Sequence, residues 1–311
     1  MTTSILSDSK PIEWPTVALI LGTTLAWAGL TAGGAHIPAA LLVPALAVVL
    51  ALHSSLQHEV IHGHPLPSQT ASDALVFPAI GLALPYERFR DLHLAHHRDA
   101  RLTDPYDDPE SNYLDPDVWV RLAPWQRRLL LWNNTLAGRI LLGPAIGLAV
   151  FWRDELRAAL GGDRSVRRAW ALHAAALVPV ALWLGTVGTV SAPAYLAACY
   201  LGLGLLKIRT FLEHRAHEAA RGRTVIVEDR GPLALLFLNN NLHAVHHQCP
   251  GAPWYALPRL YLENRARILA MNEHYVYPSY WAVFRAHLLR AKDPVPHPFY
   301  PGEGRRVADR H

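Results

Sequence analysis

The sequence predicts an all-α integral membrane protein, four transmembrane helices in two hairpins with a cytoplasmic helical cap. Three observations predict it. Of 311 residues, 51% are apolar and only 17% charged, against roughly 25% charged in an average soluble domain. The 29 basic and 25 acidic residues all avoid two long blocks, and no basic residue falls in a hairpin turn. A chain with this much to bury is not disordered. Its two cysteines, Cys199 and Cys249, exclude a disulfide scaffold, a zinc ribbon and any cluster held by four thiolates.

The first block, Thr16 to Gln57, runs 42 residues without Asp, Glu, Lys or Arg. About 20 helical residues cross a bilayer core, so the block reads as one hairpin (16–57), turned at Gly33, Gly34 and Pro38. The segment 58–168 follows. Within it Ala74–Pro85 is too short to span, and Leu129–Trp152 holds Asn133, Asn134 and Arg139. Both read as interfacial or re-entrant pieces. The second block, Ala169 to Leu206, gives 38 more uncharged residues and a second hairpin (169–206), turned at Gly185, Gly188 and Pro193. Segment 207–311 completes a single domain, 1–311. Backbone groups in lipid must be satisfied internally, so all four spans are expected as helices.

Basic residues set the orientation. Met1–Pro15 carries only Lys10, 58–168 carries 13 and 207–311 carries 15. The positive-inside rule puts both termini and the middle segment in the cytoplasm. The first apolar run starts late, lacks a basic leader and is long enough to span, so no cleavable signal peptide is expected. The sequence pI of about 9.2 is no sign of nucleic-acid binding, because no basic run interleaves with aromatics.

Eighteen histidines are the other anomaly. Nine fall in four places: His58 and His62 in HxxxH; His93, His96 and His97 in HxxHH; the lone His214; and His243, His246 and His247 in a second HxxHH. On a helix, positions i, i+3 and i+4 share a face, so each box aims two or three imidazoles at one point. Neutral imidazole suits iron, zinc, copper and nickel. Nine are too many for one tetrahedral zinc and suit two metals at four to five ligands each, which points to redox-active iron. His58 and His62 are expected to continue the helix of the second span and His214 that of the fourth, placing a di-metal cap at the cytoplasmic ends of the bundle. Glu59, Asp91, Asp99, Asp104 and Glu213 are candidates to orient the imidazoles. One of Asn239, Asn240 and Asn241 is a candidate tenth ligand. His64 and His217 are possible extra ligands; His36, His53, His173, His274, His287, His297 and His311 read as ordinary.

In this order and spacing the boxes resemble the membrane-bound fatty acid desaturase superfamily, the histidine-box di-iron enzymes, over roughly residues 40–260. Glu213-His214-Arg215, and Asn241 to His247 followed by Pro253-Trp254-Tyr255, are similar to bacterial members. The resemblance implies a bacterial inner-membrane enzyme with two non-haem irons held by the nine histidines, O2 as co-substrate and an acyl substrate. The chain has no His-Pro-Gly-Gly motif and no cysteine cluster, so electrons would come from a separate ferredoxin, rubredoxin or cytochrome. Where some relatives carry an Asn four residues before the lone His, this chain has Thr210. His58–Pro65 and the acidic loop 102–111 are similar to a subgroup that includes dihydrorhizobitoxine desaturase, which brings in a small amino-acid-derived substrate as an alternative. A di-iron hydroxylase or ketolase of alkane, carotenoid or lipid uses the same ligands. His58-Glu59-Val60-Ile61-His62 also spells the zinc-protease motif HExxH, but that leaves seven clustered histidines unused. A metal transporter would place ionisable groups within the spans, where this chain has almost none.

Overall fold

The structure is a computed structural model describing residues 11–97 and 102–300. It is built mainly of helices. α1 (Trp14–Ala32) and α2 (Ala39–Ile61) form the first hairpin, turned through a 3-10 segment at Gly34–His36. α9 (Arg164–Thr186) and α10 (Ala192–Thr210) form the second. Among the described residues, α1, α2 and α9 are long and apolar enough to cross a membrane. α10, the fourth expected span, is 19 residues long and carries Lys207 and Arg209 in its last turn. The bundle leaves Leu21, Leu25, Leu41, Val178, Leu182 and Leu196 exposed, an apolar outer surface suited to lipid.

Several polar side chains inside the bundle are satisfied locally or in pairs, as a dry interior favours. Thr23 Oγ1 donates to Leu19 O at 2.7 Å and Thr31 Oγ1 to Trp27 O at 2.8 Å. Trp27 Nε1 donates to the Tyr195 hydroxyl (2.8 Å), which donates to Ile80 O (2.6 Å). At the opposite end of the hairpins from the histidines, Trp183 Nε1 donates to Thr31 Oγ1 at 3.0 Å and Thr189 Oγ1 to Ala32 O at 2.7 Å. α2 and α10 make the most extensive helix pair. Gly202 permits that approach: a Cβ there would sit 3.1 Å from Ala47 O and 3.3 Å from Leu50 Cβ. Gly202→Val is therefore expected to destabilise by about 1–3 kcal/mol through overpacking. Thermal unfolding in detergent should show a lower midpoint, and an unchanged midpoint would refute the close fit.

Two expectations change in detail. The stretch 129–152 is not one helix but is divided among α6 (Pro124–Asn133), α7 (Leu136–Leu141) and α8 (Gly143–Leu160). Thr135 caps α7 by accepting the Gly138 N–H, and Pro144 opens α8. The stretch 74–85 contains only the end of α3 (Gln69–Leu75) and is otherwise non-helical, because Pro78, Gly81 and Pro85 interrupt it.

The rest of the described chain comprises α4 (Tyr86–His96), α5 (Pro116–Arg121), α11 (Pro232–Leu236), α12 (His243–Gln248), α13 (Leu257–Met271) and α14 (Tyr280–His287). It is not purely helical. β1 (Ile226–Val227) pairs in parallel with β2 (Val276–Tyr277), in register 226 to 276 and 227 to 277. Leu212, Val225, Val227, Phe237, Tyr275, Tyr280 and Val283 form the apolar cluster behind this pair. It fixes the end of α10 against α14 and so sets the floor on which the histidines stand.

Candidate metal centre

His58 lies in the last turn of α2, and His62 is its C-cap residue. His93 and His96 lie in the last turn of α4, with His97 as the C-cap. His243, His246 and His247 fall on α12, one and a half turns long. Leu238 (φ 51°) and Asn239 (φ 56°) are left-handed just before it. That geometry is strained for Leu and tolerated by Asn, and it reverses the chain after α11 so that the box faces α2 and α4. His214 departs from expectation. α10 stops at Thr210, and 213–215 runs extended: Val225 N donates to Glu213 O (3.1 Å) and Arg215 N to Arg223 O (2.9 Å). Pairing with the segment before β1 replaces further helix.

The fold gathers all nine imidazoles. His58, His62, His93 and His246 offer nitrogens within 4.8 Å of one another, and so do His96, His214, His243 and His247. His97 joins the first group, its Nε2 lying 2.9 Å from that of His93 and 3.2 Å from that of His246. Its ring stacks on His247 of the second group at 4.2 Å. Other Nε2 pairs are His62–His93 at 3.0 Å, His96–His214 at 2.9 Å, His214–His243 at 3.1 Å and His243–His247 at 3.2 Å. Two nitrogens each about 2.1 Å from one ion, at right angles, lie about 3.0 Å apart. The donor set thus fits two metal ions, one with five imidazoles around it and one with four.

The outer nitrogens explain why the inner ones converge. His96 Nδ1 lies 2.7 Å from Asp108 Oδ1, His93 Nδ1 2.9 Å from Glu110 Oε1, and His243 Nδ1 3.0 Å from Asn240 Oδ1. Each acceptor places the ring proton on Nδ1 and leaves a lone pair on Nε2. Lone pairs meeting at about 3 Å repel unless a cation lies between them. His58 Nε2 is buried with no hydrogen-bond partner, an unusual loss unless a ligand takes it. Burial, then the neighbouring imidazoles, holds His97, His214, His243 and His246 well below the ordinary histidine range and His62 at about 3. Neutral imidazole is the ligating form. His96 differs: burial lowers it, but Glu110 and Asp108 outweigh burial and push it up to about 9.

The fatty acid desaturase model matches residues 35–280. The chain belongs to the fatty acid desaturase family. Comparison with curated proteins gives no match. Membership carries oxidoreductase chemistry, metal-dependent catalysis, a lipid substrate and membrane association, in keeping with the two histidine clusters and three apolar helices.

The residues expected to orient a desaturase's ligands are only partly the ones that do. Glu213 pairs with Arg209 at 2.8 Å and lies 3.7 Å from His243 Nδ1. Asp91 is exposed beside Arg88 and Arg90. Asp104 accepts the Tyr106 and Asp107 N–H groups, and Asp99 lies outside the described residues. Glu59 accepts the Trp254 N–H at 2.9 Å and lies with Glu13 and His64 in a separate buried group. His64, 2.6 Å from Glu13, is therefore not in the nine-histidine cluster, and His217 bonds within its own turn. Of the three asparagines, Asn240 supports His243, Asn241 Nδ2 donates to Val227 O and Asn239 Nδ2 to Trp254 O. Asp108 and Glu110 were not among the expected residues. The acidic run 104–110, one short loop after the first HxxHH, was the available sign.

Proposed function

We propose that the chain is a membrane desaturase that removes two hydrogens from adjacent carbons of an acyl chain, using O2 and two irons. The observation that carries this reading is the pair of nitrogen clusters. His58, His62, His93, His97 and His246 would hold one iron and His96, His214, His243 and His247 the other. When bound, the metals supply O2 activation and hydrogen abstraction, the hard chemistry that a cofactor brings. Asp108, Glu110 and Asn240 hold protons on Nδ1 and fix ring orientation, and the buried rings exclude water. In this reading α10 is the fourth span, both termini and the cap face the cytoplasm of a bacterial inner membrane, and a separate ferredoxin, rubredoxin or cytochrome delivers two electrons.

Glu59, bonded to the Trp254 N–H and facing away toward His64, does not support the zinc-protease alternative, which needs it as a base. The test is expression in a host with a compatible reductase, followed by mass spectrometry of lipids and polar metabolites. A product lighter by two hydrogens is expected. A product with one added oxygen would make the chain a hydroxylase instead, and an unchanged lipid profile with a new dehydrogenated polar product would move the substrate to a small amino-acid derivative.

A further inference from the structure

Beside the histidine clusters lie two cations that, among the described residues, touch no carboxylate. Arg139, on α7, is 5% exposed. Its Nε donates to Asn133 O at 3.0 Å and its Nη1 to Asn112 Oδ1, both uncharged acceptors, and among the described residues it forms no ion pair. Lys207, half-buried in the last turn of α10, forms neither an ion pair nor a hydrogen bond among the described residues. The neighbouring cations behave otherwise: Arg209 pairs with Glu213 and Lys292 with Asp293, both at 2.8 Å.

The stems of the two side chains meet over a strip of α8 that carries no side chain of its own. A Cβ on Gly143 would lie 3.1 Å from Arg139 Cδ and 3.5 Å from both Lys207 Cγ and Asn133 Oδ1. One turn on, a Cβ on Gly147 would lie 3.8 Å from Lys207 Nζ. Asn133 Oδ1 is itself buried with no hydrogen-bond partner. With its amide turned over, Nδ2 would join the donors. Arg139 Nη2 and Lys207 Nζ remain for a ligand, two charged donors for two oxygens. Buried or half-buried cations with no anion in direct contact are unfavourable, and a bound anion relieves both at once. The site is also close to the chemistry. Glu110 and Glu213, which lie against the box histidines, are within electrostatic reach of Lys207.

We propose that Lys207 and Arg139, packed over the side-chain-free faces of Gly143 and Gly147, bind the anionic head group of the substrate: the carboxylate of a free acid or the phosphate of a lipid or carrier-linked chain. As a substrate site it rests on the desaturase reading above; as an anion site it does not. The test uses the full-length, metal-loaded protein in detergent, titrated with laurate, dodecyl phosphate and dodecanol, which share a tail and differ in head. At least one anion should bind roughly tenfold or more tightly than the alcohol. Lys207→Met and Gly147→Leu should abolish that preference with metal content unchanged, and Lys207→Arg should keep it. Preference for laurate assigns a free acid; preference for dodecyl phosphate assigns a phosphate-bearing chain. Equal binding of all three by the native protein, or an undiminished preference in both Lys207→Met and Gly147→Leu, overturns the proposal. Anion-selective binding without any dehydrogenated product would sink the desaturase reading and leave this site standing. Dehydrogenated product without anion preference would do the reverse.

Discussion

Replacing His96 or His247 with alanine should remove metal and O2-dependent activity together. Each imidazole belongs to the four-histidine group: among the described residues, His96, His214, His243 and His247 form that set within 4.8 Å. Removing an outer partner of a ligand already costs about 10–100-fold in metal affinity or activity, so losing a ligand should exceed about 100-fold. Metal analysis of the purified variant should fall from about two ions per chain to one or fewer. His287→Ala is the control. Its ring bonds to Tyr277 OH at 2.8 Å, away from both groups, and it should keep both ions. A His96→Ala or His247→Ala protein with full metal content and full turnover would dispose of the di-metal assignment.

The convergence of the candidate site's histidines was legible in the sequence where it follows a helical period, and obscure where it does not. His93, His96 and His97 converge because i, i+3 and i+4 share a face, so the boxes could be read without a structure. Asp91 does not orient a box histidine for the same reason, since a residue two positions before His93 points elsewhere, here to Arg88 and Arg90. Glu59 follows His58 directly and turns to Trp254. The carboxylates that do orient the rings, Asp108 and Glu110, come 12 and 17 residues after their histidines on a non-helical loop, where no periodicity announces them. The hairpins followed from missing charge, because lipid forbids it at the bundle surface. The break of 129–152 into three helices depends on Thr135 and on Gly143–Pro144, small local signals within an apolar run. His214 shows the same limit: its position after α10 suggested more helix, but pairing with 223–225 captured the segment.

The carboxylates the sequence hid have the second-largest expected effect. Asp108 is 5% exposed and three groups converge on it: His96 Nδ1 at 2.7 Å and Glu110 N at 2.9 Å meet Oδ1, and Thr103 N at 2.8 Å meets Oδ2. It therefore orients one box histidine directly and, through the Glu110 backbone, sets the carboxylate that supports His93. Asp108→Ala should lose about 10–100-fold in metal affinity or activity. It should also lose about 1–3 kcal/mol of stability, because buried donors are left unmet. Asp108→Asn separates the two effects. Its amide oxygen still accepts one backbone N–H, so most stability should remain. The charge that helps to hold His96 at about 9 is gone, however, and an amide is a weaker partner for a ring N–H than a carboxylate. The expected signature is a near-native melting temperature with metal affinity or turnover reduced about tenfold or more. If Asp108→Asn instead melts early while binding metal and turning over normally, Asp108 is a loop-forming residue and the orientation of His96 must come from its packing against His93, His97 and His214.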